Sequence, residues 1–391
     1  MKIAMFGGSF NPPHLGHVEA VRSVIECLKP DRLLIMPAYS PPHKVMAEDT
    51  PSPEQRLELC RLAFADIPQA EISDLEIRRE GKSYTADTLL QLHELYPDDE
   101  LVLIMGTDMI LSLESWYRPE LIMELAEIAV LLRGVDEDAH VRSHIEYLQT
   151  TYGARITQLE AAVYPAASTE VRQALKNASG NELLPEAVYE HILRARLYDA
   201  KGNLDWLRKK AHAMLKPKRI PHVIGCEQEA VRLAKRWGED EYSAAAAGIL
   251  HDITKKLNTE EQLILCEKYD IIIDMSVPGM DKTLHQLTGA AVAYHEFGVS
   301  EAIRDAIRWH TTGKPEMTTL EKIIYLADYI EPNRCFDGVE RIRALSYESL
   351  DAAMEDGLRM TMEDLQSRGS PILDVSRSAY NWFKMRREGL F

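Results

Sequence analysis

One stretch restricts the fold more than any other: Gly7-Gly8-Ser9-Phe10-Asn11-Pro12-Pro13-His14-Leu15-Gly16-His17. Ahead of it, Lys2 to Phe6 is a short apolar run of strand type. Behind it, Val18 to Leu28 repeats apolar side chains at helical spacing. Strand, glycine-proline loop and helix in that order make the phosphate-binding corner of an open α/β sheet. The loop leaves the carboxyl end of the strand, and the helix start offers unpaired N–H groups and a partial positive charge. Gly7 and Gly8 let backbone approach an anion with no Cβ in the way. His14 and His17, three apart on a first helical turn, share one face and form a compact clamp for a polyphosphate.

The next two hundred residues keep the same alternation. Leu33 to Met36 is a second strand, about thirty residues after the first, which is βαβ spacing. Pro37-Ala38-Tyr39-Ser40-Pro41-Pro42-His43-Lys44 is an extended loop fixed by its prolines, ending on a point charge suited to phosphate or carboxylate. A helix is expected from Ser52, or the Thr50-Pro51 step, through Ala65. Another follows from Gly81-Lys82-Ser83-Tyr84-Thr85 through Tyr96. Ser83 or Thr85 is placed to cap that helix. Leu101 to Met105 is wholly apolar, a strand buried on both faces. Gly106-Thr107-Asp108 at its carboxyl end sets an acid where ribose hydroxyls are held in dinucleotide folds. Trp116, read from the residues alone, is a core side chain. Ile128 to Leu132 and Ile156 to Leu159 are further strands. Ser168-Thr169-Glu170-Val171-Arg172 opens a helix with Arg172 one turn in, and Leu184-Pro185 begins another that runs to about Tyr198.

A polar, glycine-containing segment at 199–202 separates this half (1–198) from a second (203–391) in which strand-like runs are scarce. The expected fold is α/β with a Rossmann-like parallel sheet, followed by an all-helical domain. In the second half His251-Asp252 follows Ala244-Ala245-Ala246-Ala247-Gly248, small residues that allow close helix packing. Adjacent residues lie about 100° apart on a helix, so a buried His-Asp pair needs a partner that offsets desolvation, and a metal ion is one. His222 upstream and Asp328, in the apolar run Ile323 to Ile330, complete an ordered His…His-Asp…Asp set.

Composition narrows the partners. A formal charge of −17 over 391 residues argues against nucleic acid. No apolar run approaches the ~20 residues of a membrane span, and residues 1–30 do not read as a signal peptide. Five scattered cysteines with no C-x-x-C fit reduced thiols in a cytoplasm. The oligomeric state is not legible.

The loop motif resembles the signature of the H-x-G-H nucleotidyltransferases. In its longer form, together with PAYSPPHK, SYT and GTD, it resembles the nicotinate-nucleotide adenylyltransferases. The resemblance implies adenylyl transfer from ATP, with Mg²⁺ arriving on the ATP phosphates. It implies ATP contacts at Gly7, Gly8, Ser9, Phe10, His14, His17, Gly106, Asp108, Ser168, Thr169 and Arg172. Of these, His14, His17 and Arg172 would neutralise charge in the transition state. Lys44, Thr85 and Trp116 would contact nicotinate mononucleotide. Ala166 and Ala167 stand where the family carries isoleucine and serine. Nicotinamide mononucleotide and phosphopantetheine are alternative acceptors.

The second half resembles HD-domain hydrolases that split diadenosine tetraphosphate into two ADP. The resemblance rests on the His…His-Asp…Asp set, Leu284-His285-Gln286-Leu287-Thr288-Gly289, Trp309-His310-Thr311-Thr312-Gly313 and Asp328-Tyr329-Ile330-Glu331-Pro332-Asn333-Arg334. It implies a metal, with iron as the expected ion, on His222, His251, Asp252 and Asp328. Asp252 would be the general base. Arg219, Lys255, His310, Thr311 and Arg334 would face phosphate, and His285 and His310 either phosphate or a second ion. Lys255 reads equally as a solvated lysine. A nucleotide-binding regulatory module is the alternative for this half.

Overall fold

The computed structural model describes residues 1–42, 45–132, 138–160 and 166–390. The chain divides into two compact units, Met1–Lys201 and Gly202–Phe391. The sequence places the join at 199–202. Lys201 belongs with the first unit, because its N–H donates to Leu175 O at 2.9 Å.

The first unit is built on a six-stranded parallel sheet: β1 (Lys2–Gly8), β2 (Arg32–Pro37), β3 (Ala70–Ile72), β4 (Glu100–Gly106), β5 (Ala126–Leu132) and β6 (Ile156–Glu160). The strand order is β3-β2-β1-β4-β5-β6. After β1 the chain steps one way to β2 and β3, then returns to the far side for β4. The sheet therefore reverses its winding between β1 and β4, and the crevice at their carboxyl ends is where such sheets bind ligands. Ile3 and Ala4 of β1 and Val102 of β4 are completely inaccessible, as central parallel strands covered on both faces must be. Three-residue β3 is too short to show as an apolar run, and the sequence reading did not contain it.

The second unit is helical. The Ile220–Trp237 helix packs against the Glu241–Leu250 and Thr319–Ile330 helices. Contact with the former is close because Gly248 faces Glu227: a Cβ on Gly248 would lie 2.8 Å from Glu227 Cα. Ala244 to Leu250 is buried throughout, so small side chains set the spacing of this helix from its neighbours. Among the described residues no helix is long and apolar enough to cross a membrane.

Candidate active sites

In the first unit the loop after β1 makes its turn through a cis Asn11–Pro12 bond. His14 is the N-cap of the Leu15–Leu28 helix, and its N–H donates to His17 Nδ1 at 3.1 Å. The two imidazoles lie 3.8 Å apart, centroid to centroid. Two residues of the distant Ser168–Lys176 helix hold this loop. Ser168 Oγ donates to Pro12 O at 3.1 Å, and Arg172 Nη1 donates to Asn11 O at 2.6 Å, while Nη2 reaches Thr169 Oγ1 at 3.2 Å. Ser168 is not the cap of its own helix. Ala167 occupies that position, and its N–H donates to Glu170 at 3.3 Å.

Next to the loop is a cavity of about 670 Å³ at the carboxyl ends of β1 and β4, lined by Gly7, Gly8, Ser9, Thr85, Asp108 and Trp116 among others. Trp116 packs against the core and also lines the cavity. Ser83 caps no helix. Its Oγ accepts from the Tyr39 N–H at 2.9 Å and pins the proline-rich loop to the cavity wall. Phe10 is 1% exposed, packed among Phe6, His17 and Phe64 beneath the loop. That leaves its backbone to meet a ligand. Gly106 ends β4, and Lys44 lies outside the described residues.

The sequence reading missed Arg56, on the Pro53–Ala63 helix. Its side chain is 1% exposed. Nη1 donates to Ser9 O at 2.8 Å, and Nη2 donates to Ala38 O at 2.6 Å and Tyr39 O at 3.0 Å. One guanidinium thus ties the phosphate-side loop to the proline-rich loop. Burial pulls its pKa down from the usual value, yet an arginine so placed stays charged. Arg56→Ala would strand three carbonyls and is expected to destabilise the protein by about 3–5 kcal/mol. Thermal unfolding checks this, and Arg56→Lys, lacking the fork, is expected to recover little of the loss.

In the second unit the helix ends at Leu250, so His251 and Asp252 occupy the turn that follows, both wholly inaccessible. This is how adjacent residues come to share one interior. His251 Nδ1 donates to Gly248 O at 2.8 Å, and His310 Nδ1 donates to Ile307 O at 2.6 Å. With those protons committed, the Nε2 atoms of both rings are lone-pair acceptors. His222 Nδ1 meets Glu331 Oε1 at 3.1 Å, and Glu331 is itself held by the Asn333 N–H at 2.7 Å. His222 Nε2 lies 3.3 Å from His251 Nε2 and 3.0 Å from Asp328 Oδ1. These three atoms have at most one proton between them. Asp252 Oδ1 and His310 Nε2, 3.7 Å apart, are buried with no hydrogen-bond partner among the described residues. An under-protonated cluster of imidazole nitrogens and carboxylate oxygens is satisfied by a divalent cation. The donors fit such an ion. Of the four expected ligands, His222, His251 and Asp328 have donor atoms within 4.8 Å of one another, whereas Asp252 groups at that spacing with His251 and His310 instead.

Cations surround this cluster. Arg219 Nε donates to Asp252 Oδ2 at 2.6 Å, and Arg334 Nη2 donates to Asp328 Oδ1 at 2.7 Å. Lys255 Nζ is 2.7 Å and Thr311 Oγ1 3.2 Å from His285 Nε2, which is 3.6 Å from Asp252 Oδ1. All the residues proposed for phosphate therefore gather here. Burial lowers the pKa of Lys255. Burial opposes the charges on Asp252 and Asp328, but His251 beside the first and His222 beside the second hold both carboxyls well below the usual range. Glu331 was not among the expected site residues.

Burial pushes His251 down to about 4 from 6.5. The folded chain refuses a proton that the unfolded chain accepts, so stability is full above 6.5 and falls as pH drops towards 4. The metal-free protein is expected to lose up to about 3 kcal/mol from this group across that window. Urea unfolding in the presence of a chelator, at about pH 7 and about pH 4.5, measures it.

Known proteins resemble each half of the chain separately. A cytidylyltransferase-like family profile matches residues 5–174 and an HD-domain profile matches residues 219–333. The chain thus joins a nucleotidyltransferase-class domain to an HD-class domain. A Carboxydothermus hydrogenoformans protein named "Probable nicotinate-nucleotide adenylyltransferase" is 37% identical over 199 residues, 50% of this chain and 98% of its own. The Bacillus subtilis "Bis(5'-nucleosyl)-tetraphosphatase, symmetrical" is 40% identical over 167 residues, 42% of this chain and 88% of its own. A crystal structure described as that of a "predicted HD superfamily hydrolase involved in NAD metabolism" from Clostridium acetobutylicum is 32% identical, covering 48% of this chain and 100% of its own at a TM-score of 0.45. The chain belongs to the nicotinate-nucleotide adenylyltransferase family through its first half and to the HD-domain tetraphosphatase family through its second.

Proposed function

We propose that the first unit transfers the adenylyl group of ATP to nicotinate mononucleotide, and that the second hydrolyses diadenosine tetraphosphate symmetrically to two ADP. For the first reaction, the observation that carries the reading is the His14–His17 loop beside a nucleotide-sized cavity at the sheet's reversal point. A phosphate oxygen of the mononucleotide attacks the α-phosphorus of ATP. The new P–O bond forms as the bond to the β-phosphate bridging oxygen breaks, and pyrophosphate leaves. No covalent enzyme intermediate is needed, so the chain's work is alignment and charge stabilisation. Gly7, Gly8 and Ser9 approach the phosphates with backbone. His14, His17 and Arg172 offset the charge that develops on the leaving group, with Mg²⁺ entering as part of the ATP substrate. Asp108 takes ribose hydroxyls, while Trp116, Thr85 and Lys44 hold the pyridine nucleotide.

For the second reaction, the carrying observation is a buried chain of donor atoms running from Asp328 through His222 and His251 to Asp252, each within 3.5 Å of the next, in a pocket rimmed by Arg219, Lys255 and Arg334. A bound divalent ion, with iron our first choice among first-row metals, supplies Lewis-acid polarisation and a more acidic water. The chain's own share is to bind the polyphosphate through Arg219, Lys255, Thr311, His310 and Arg334. Asp252 Oδ1 is the buried acceptor available to an attacking water. Its depressed pKa makes it a weak base, so its contribution is mostly orientation. We place both activities in the cytoplasm, acting on small nucleotides without nucleic acid.

The test compares turnover of nicotinate and nicotinamide mononucleotides by the full chain, and resolves the products formed from diadenosine tetraphosphate with Fe²⁺ or Mn²⁺. Faster turnover of the nicotinate substrate, and ADP as sole nucleotide product, are expected. Equal rates on the two mononucleotides would defeat the first assignment. No ADP with any metal would leave the second unit a binding module.

A further inference from the structure

Among the described residues the metal pocket holds two donors outside the four expected ligands, His310 and Cys226, and only Cys226 brings sulfur. Cys226 follows His222 by four residues on the Ile220–Trp237 helix, so the two side chains share a face. The thiol is buried, at 1% exposure. Its Sγ lies 3.5 Å from His222 Nε2 and 3.7 Å from Ala327 O. Donor atoms of His222, Cys226, His251 and Asp328 all fall within 4.8 Å of one another. A tetrahedral ion with usual bonds to sulfur, nitrogen and oxygen sets its ligand atoms about 3.3–3.8 Å apart. The grouping needs only small side-chain adjustments to reach that spacing.

A second grouping, His251, Asp252 and His310, shares His251 and contains only nitrogen and oxygen. The pocket thus offers two faces around one imidazole, one with sulfur and one without. Resting on the reading of this pocket as a metal centre, we infer that Cys226 is a ligand for thiophilic divalent ions, which bind on the sulfur face with His222, His251 and Asp328. The bond forms between Sγ and the ion, and the thiol proton passes to solvent. Hard ions such as Mn²⁺ gain nothing from sulfur and take the nitrogen–oxygen face. The metal preference of the pocket is then set in part by a residue one turn beyond its first histidine.

The experiment is cobalt titration of the full, reduced chain under anaerobic conditions. The wild type is expected to show a near-ultraviolet sulfur-to-cobalt charge-transfer band along with the visible ligand-field bands. Cys226→Ala is expected to bind cobalt and keep the visible bands without the near-ultraviolet one. Its preference for Zn²⁺ over Mn²⁺ is expected to fall about tenfold or more. Cys226→Val serves the same purpose should the smaller side chain loosen the helix packing. X-ray absorption of the wild-type zinc form gives an independent reading, with a sulfur scatterer expected at about 2.3 Å. Cobalt binding with no charge-transfer band, or a band that survives in both variants, overturns the inference and leaves the metal centre standing. Cobalt binding that His251→Ala leaves intact removes the centre, and the inference with it.

Discussion

His251→Ala is expected to bind divalent ions at least about a hundredfold more weakly than the parent chain and to lose hydrolysis of diadenosine tetraphosphate by about 10³-fold or more. The reason is positional. His251 belongs to both donor groupings of the pocket, and its Nε2 is fixed as an acceptor by the Nδ1 bond to Gly248 O. Removing it leaves neither grouping complete. Metal content after dialysis and a hydrolysis assay read the loss directly. Adenylyl transfer by the same preparation is expected to stay within about twofold of the parent, since the reacting groups assigned to it lie in the other unit. A variant that keeps its metal and its hydrolytic rate would show that the histidine is only a packing residue.

His17→Ala is the second large effect: kcat for adenylyl transfer is expected to fall by about 10²–10³, with a smaller change in KM. Two contributions must be separated, because His17 Nδ1 also accepts the His14 N–H and closes the start of the helix. His17→Gln does this. A glutamine three residues into a helix accepts the cap N–H in the same way, but it has no imidazole to offset phosphate charge. Stability, read as thermal midpoint, is expected to return in His17→Gln while kcat remains low. Recovery of both would reduce the residue to a helix cap.

The parts of this molecule that showed in the sequence are those in which local pattern and chemistry coincide. The β1 loop and helix start carry glycine, proline and histidine at positions where backbone conformation and ligand chemistry ask for the same residues. The wholly apolar β4 declares its own burial. The HD residues could be ordered along the chain, although nothing local said that His251 and Asp252 would sit in a turn beyond the helix end. What stayed hidden depended on distant partners. Arg56 lies in a segment dense with charge, Pro53-Glu54-Gln55-Arg56-Leu57-Glu58, and only the carbonyls of Ser9, Ala38 and Tyr39 make it an interior residue. Glu331 and Cys226 were reachable, since each lies one helical turn from an expected ligand. Asking what orients His222, and what else shares its face, would have found both. The bond from Ser168 to Pro12 O joins residues 156 positions apart, a distance no local pattern spans.

The crossing of the Ile220–Trp237 helix with its surroundings has a further consequence. Any side chain at Gly225 would overlap Glu331 Oε2 and come within 3.2 Å of Asn333 Nδ2. That carboxylate is what keeps the His222 ring turned towards its neighbours. A residue with no functional group of its own therefore governs whether the first imidazole faces inward. Even a single methyl there would act as a wedge, silencing the pocket while every atom able to grip an ion was still in the chain.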